Sequence, residues 1–138
     1  EDENKSHAFL ILDVDCFKQI NDIYGHAVGD IVLQKFGKLL KGTFREGDIL
    51  GRIGGDEFGV IMKNIQTKDI AMKKAEELLA KTQAYKIDEL KGNNISISIG
   101  ISTAPQDGDC YMDLYKRADQ ALYQAKRSGK ARVCNYFS

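Results

Sequence analysis

Apolar and polar positions along the chain follow two different periods, with one stretch that has none. AFLILDVD, Ala8 to Asp15, is an unbroken apolar run that turns acidic at its end, and it predicts a buried central strand. CFKQINDIYGHAVGD follows, and Gly25 and Gly29 divide it into a short helical turn, a loop and the start of a new helix. In GDIVLQKFGKLLKGTF, Ile31, Val32, Phe36, Leu39 and Leu40 recur near helical spacing, with Asp30 in the predicted first turn. DILGRI and EFGVIM read as short strands joined by a glycine turn. TKDIAMKKAEELLAKTQAY predicts an amphipathic helix with Thr67 as its N-cap. ISISIGIS, Ile95 to Ser102, alternates strictly and predicts a strand with one wet face. YMDLYKRADQALYQAKRSGK is a third long helix stopped at Gly129, and ARVCNYF is a closing strand.

The order β, α, α, β, β, α, β, α, β fits an α+β layout of the ferredoxin-like kind, a helix-flanked sheet containing an antiparallel hairpin. A chain of 138 residues fits one domain. Apolar residues at 43% and charged residues at 29% are ordinary for a soluble domain. The net charge of zero gives no electrostatic footprint for nucleic acid or a membrane surface. No apolar run reaches the roughly 18 residues of a membrane span, and the acidic start EDENKSHAF is wrong for a secretory signal. Cys16, Cys110 and Cys134, with no CxxC spacing, point to reduced thiols in a cytosolic setting.

Two carboxylate groups change this picture. Asp13 and Asp15 alternate along a strand, so they share a face, and a bare carboxylate near the core needs a partner or a cation. Asp56 and Glu57 sit side by side at the hairpin tip. If the hairpin neighbours the first strand, Asp13, Asp56 and Glu57 make a hard-oxygen site suited to Mg²⁺. Taken alone, each pair also reads as a solvated strand end or turn. Lys18 follows the first pair, and Lys126, Arg127 and Lys130 cluster at the end of the last helix, where they suit either the helix dipole or a phosphate.

DVDCFKQINDIYGHAVGD, RIGGDEF, SIGIS and RADQALYQAKRSGK, in that order from Asp13 to Lys130, resemble the GGDEF domain of diguanylate cyclases. The resemblance implies a fold like the palm of nucleotide polymerases and class III nucleotidyl cyclases. It implies that two GTP molecules are joined into cyclic di-GMP with release of pyrophosphate, in a homodimer, with Mg²⁺ as cofactor and Mn²⁺ as the alternative. It assigns the metal to Asp13, the Val14 carbonyl and Asp56, with Glu57 as a second metal ligand or a proton acceptor. Asp56, Glu57 and Lys18 are then the catalytic set.

Asn21 and Asp30 match the family's guanine-reading pair; a carboxylate can accept from N1–H and N2–H of guanine, a donor pair that adenine lacks. His26 lies between them, either lining the base pocket or packed structurally. Phosphate contacts fall on the backbone at Phe17, on Lys18, on Lys126 and on Lys130. Lys130 stands where the family more often has arginine, so it keeps the charge and loses the bidentate fork. Ala131 replaces a common asparagine, which puts the local loop geometry in question. Arg45 and Asp48 in REGD match the family's inhibitory RxxD motif, where the product binds; by itself this pattern reads equally as a surface salt bridge.

The family's usual DxLTGLxNR-like turn is missing before the first strand. The expectation is an excised cytoplasmic domain, residues 1–138, from a longer chain with a sensory or receiver segment, in some members membrane-anchored. The alternative within the resemblance is a catalytically silent module that binds GTP or cyclic di-GMP.

Overall fold

The computed structural model describes residues 6–136. Most of the acidic start, and Phe137 of the predicted closing strand, lie outside the described residues. The chain folds as β1 (Ser6–Val14), α1 (Phe17–Tyr24), α2 (His26–Thr43), β2 (Ile49–Gly54), β3 (Glu57–Ile65), α3 (Lys68–Ala84), β4 (Ile97–Ala104), α4 (Tyr111–Arg127) and β5 (Val133–Asn135), the predicted order. Among the described residues a 3₁₀ turn, Asp88–Leu90, is added to it.

The sheet runs β2-β3-β1-β4-β5, antiparallel except for the parallel β4–β5 pair. Its first four strands have ferredoxin-like order, with the hairpin at one edge and β1 at the centre. The period of two divides β1 between two cores. Ala8, Leu10, Leu12 and Val14 pack in the larger core, with Val32, Phe36 and Leu40 of α2 and Ala71, Ala75 and Leu78 of α3. Phe9 and Ile11 face the other way, with Ala118 and Leu122 of α4. Asp13 falls in the second register, at the end of β1 under α4.

Two expectations are corrected. The strand ISISIGIS has no wet face, because all eight residues of β4 are buried. Its isoleucines enter the larger core, and α4 covers the small side: Gly100 lies against the backbone of Ala118 and Leu122, and Ser102 Oγ donates to the Leu114 carbonyl at 2.7 Å.

Gly29 also does not break the chain. Gly25, at φ +95°, ends α1, and α2 starts directly at His26, which places Asp30 beyond the first turn. Gly29 is buried inside α2 because Asn21 and Phe17 of α1 occupy the space a Cβ would take. Thr67 does stand at the N-cap of α3, without a side-chain capping bond.

Candidate functional site

The site forms where β1 ends beside the tip of the β2–β3 hairpin. Asp13 is paired with Glu57 on β3 and with Ser98 on β4. The turn at Gly55, which takes φ +52°, sets Asp56 next to β1, where the Val14 N–H donates to the Asp56 carbonyl at 3.4 Å. Arg52 Nε holds the same turn by donating to the Gly55 carbonyl at 2.7 Å. Antiparallel pairing thus brings Asp13 together with Asp56 and Glu57, 43 and 44 positions further along the chain.

Their electrostatics are those of a cation site. Asp13 is buried and its Oδ1 has no hydrogen-bond partner, while Oδ2 is paired with Lys126 Nζ. Burial, then the neighbouring Asp56 carboxyl, push the Asp13 pKa up to about 7 despite the Lys126 ammonium. Burial opposes the charge of Lys126, but the Asp13 carboxylate, with Asp56 and Asp15 behind it, outweighs that effect and raises the lysine pKa. Glu57 is raised by burial and by Asp119, against the hydroxyl of Tyr115, which donates to its Oε1 at 3.3 Å. A buried carboxylate oxygen with free lone pairs, beside two further half-buried carboxyls, fits a hard divalent ion such as Mg²⁺.

The phosphate candidates surround this end of the sheet. Cys16 is the N-cap of α1 in a left-handed conformation, φ 56°, and no side chain caps that helix end. The backbone N–H groups of Phe17 and Lys18 precede the first intrahelical bonds, so they are free of helical partners. The Lys18 side chain is exposed on this turn. Lys130 follows α4 and reaches back, its Nζ 3.3 Å from Cys16 Sγ. The loop in question is now defined: Lys130 and Ala131 are both left-handed, at φ 65° and 51°.

Asn21 and Asp30 come from α1 and α2, and Asn21 packs on Gly29, the residue before Asp30; Asp30 and His26 are exposed. A methyl group at Gly29 would overlap Asn21 Oδ1. Gly29→Ala is therefore expected to displace the Asn21 side chain, which the NMR shifts of its side-chain amide would show.

Arg45 and Asp48 stand apart from this cluster, in the turn between α2 and β2. Arg45 donates to Asp48 through Nε at 2.9 Å and through its backbone N–H at 3.2 Å, and its guanidinium also reaches the Lys63 carbonyl. A cavity of about 560 Å³ adjoins them, lined by Lys41, Phe44, Glu46 and Leu50.

Three residues have contacts that the sequence did not assign: Tyr115 holds Glu57, Gly29 admits Asn21, and Asp15 is buried and accepts three hydrogen bonds instead of sharing the open site with Asp13. The three cysteines are unbridged. Among the described residues no helix is long and apolar enough to cross a membrane.

Comparisons with known proteins agree with this fold. The family model "Diguanylate cyclase, GGDEF domain" matches residues 1–132. Diguanylate cyclase A of Treponema denticola is 38% identical over 133 residues, 96% of this chain and 36% of that protein. The crystal structure of the GGDEF domain of YfiN (TpbB) from Pseudomonas aeruginosa superposes with a TM-score of 0.94 at 34% identity, over 99% of this chain and 85% of that one. The GGDEF domain of DgcB from Caulobacter crescentus, solved with c-di-GMP, gives 0.87 at 27% identity, over 95% and 78%. The chain spans about a third of the length of the curated relatives it matches.

Proposed function

The chain belongs to the GGDEF family of diguanylate cyclase domains, and from that premise we propose that it condenses two GTP molecules into cyclic di-GMP, releasing two pyrophosphates. One observation carries the reading: Asp13, with an unpartnered buried oxygen, stands at the end of β1 opposite Glu57 and beside Asp56 and Lys126.

In this mechanism Asp13, the Val14 carbonyl and Asp56 would hold Mg²⁺, or Mn²⁺ in its place. The bound ion would neutralise triphosphate charge and lower the pKa of the attacking 3′-hydroxyl. Glu57, held by Tyr115, stands one residue from Asp56 and serves as a further ligand or takes the hydroxyl proton. The open N–H groups of Phe17 and Lys18 cradle the β- and γ-phosphates, with Lys18 placed to stabilise charge on the departing pyrophosphate. Lys126 and Lys130 add charge from the α4 side.

Asn21 and Asp30 read guanine, with His26 at the rim. A second copy of the domain faces the first, so that each 3′-hydroxyl attacks the other's α-phosphate. Upstream sensory or receiver segments would set the distance between the copies.

The direct test is incubation of the dimeric protein with GTP and Mg²⁺, followed by chromatography for cyclic di-GMP. Product formation is expected; nucleotide binding without turnover would favour a silent module instead. We also assign product inhibition to Arg45 and Asp48, whose charges adjoin the cavity after α2. Arg45→Ala is expected to relieve inhibition by added cyclic di-GMP and leave the initial rate within about 2-fold. Because it strips the guanidinium from the Asp48 carboxylate, whose side chain is 0% exposed, it should also lower the melting temperature. Inhibition curves unchanged from those of the parent protein would move the product site elsewhere.

A further inference from the structure

Asp15 lies just beyond β1 and is 6% exposed, yet none of the roles above uses it. Its carboxylate accepts three hydrogen bonds. Ser96 Oγ and the Ala131 N–H donate to Oδ2 at 2.6 and 3.1 Å, and Ser98 Oγ donates to Oδ1 at 2.6 Å. Its own N–H donates to the Ser96 carbonyl at 2.8 Å. Two residues earlier, Asp13 keeps an unpartnered oxygen. A metal ligand needs free lone pairs, and Asp15 has committed three of its roughly four to donors from two other parts of the chain.

The Ala131 donor points to what this carboxylate does. Lys130 and Ala131 are consecutive non-glycine residues in the left-handed region, a conformation that persists only where the surroundings hold it. The bond from Ala131 to Asp15 is such a hold. It ties the loop after α4 to the end of β1, and within that loop Lys130 reaches Cys16 at the start of α1. Lys126 enters from the last turn of α4 to meet Asp13. Asp15 therefore sits beneath the junction of β1, β4 and the lysine-bearing end of α4.

We propose that Asp15 is a positioning residue: it pins the left-handed Lys130–Ala131 loop so that Lys126 and Lys130 face the α1 N-terminus and the triphosphate bound there, and it does not ligate the metal. The assignment rests on the cyclase reading for its substrate and on the hydrogen bonds for its mechanics.

The test compares Asp15→Asn and Asp15→Ala. Asparagine keeps an oxygen for Ala131 and Ser96, and its amide can donate to the Ser98 hydroxyl. It is expected to hold the KM for GTP within about 3-fold of the parent. Alanine removes the charged acceptor, and is expected to raise that KM roughly 10-fold with a smaller change in kcat. It should also speed hydrogen exchange at the Ala131 amide, which a merely destabilised fold would not single out. Loss of turnover in Asp15→Asn with the fold intact would make Asp15 a metal ligand and overturn the proposal. So would an Asp15→Ala protein with unchanged KM and unchanged exchange at Ala131. Should the parent make no cyclic di-GMP, the cyclase reading fails alone. The calorimetric affinity for GTP and the exchange rate then decide Asp15 by the same criteria.

Discussion

Asp13→Asn is expected to lower cyclic di-GMP synthesis by at least about 10³-fold, equivalent to roughly 4 kcal/mol of transition-state stabilisation, while the protein melts at the same temperature or higher. The two effects share one cause. The wild-type carboxylate is buried beside Asp56, and its pKa is pushed up from 3.8 to about 7. A carboxyl raised in this way favours folding most when protonated, and that contribution is lost as the pH rises through the folded value. At pH 8 the metal-free protein therefore carries an ionised Asp13 with one oxygen unsatisfied. An amide carries no charge to desolvate, so the fold loses a liability and the site loses its anionic ligand. Lys126, whose side chain is 36% exposed, can turn to water once its partner is neutral.

Calorimetric melting at pH 8 and initial rates with GTP and Mg²⁺ check both halves. A fall of several degrees would identify Asp13 as a structural partner of Lys126. Retained turnover would remove it from the metal site. Asp56→Asn, at a half-buried turn position, is expected to lose activity similarly with little change in melting.

How much of this site could be read beforehand depended on how local each interaction is. The unbroken apolar run before Asp13 announced a strand covered on both faces, and β1 is the central strand. Placing Asp56 and Glu57 beside Asp13 required only that the hairpin pair with its neighbour, which antiparallel order favours. β4 resisted because strict alternation distinguishes two faces without saying what covers the smaller one. The complementary signal lay in α4, where Ala118, Ala121 and Ala125 are spaced to let a helix approach closely.

Gly29 was misread for a related reason. A glycine in a helical pattern looks like a break, and only the distant Asn21 side chain explains why it is needed there. The DxD pattern puts Asp15 on the same face as Asp13 without saying which of the two is bonded within the fold. The donors to Asp15, Ser96, Ser98 and Ala131, come from segments about 80 and 116 positions away, beyond the reach of local pattern.

The same close approach of α4 makes Gly100→Ala the most damaging of the small substitutions. A methyl group there would collide with the Ala118 carbonyl and the Leu122 backbone nitrogen. Backbone cannot rotate aside as a side chain can, so the helix must lift from the sheet. Overpacking of this kind is expected to cost about 3 kcal/mol and to lower the melting temperature by roughly 10 °C. Activity should fall further than stability alone explains, even at temperatures where the variant is fully folded. α4 carries Tyr115 to Glu57 and Lys126 to Asp13, and the loop after it carries Lys130. A shift of about 1 Å in such positioning groups can cost on the order of 10²-fold in rate. Gly51→Ala supplies the control, because a Cβ at that position on β2 meets nothing within 4 Å. It should melt and turn over as the parent does. If Gly100→Ala behaved like this control, α4 would not rest on the β4 backbone, and the route by which its lysines reach the carboxylates would have to be drawn differently.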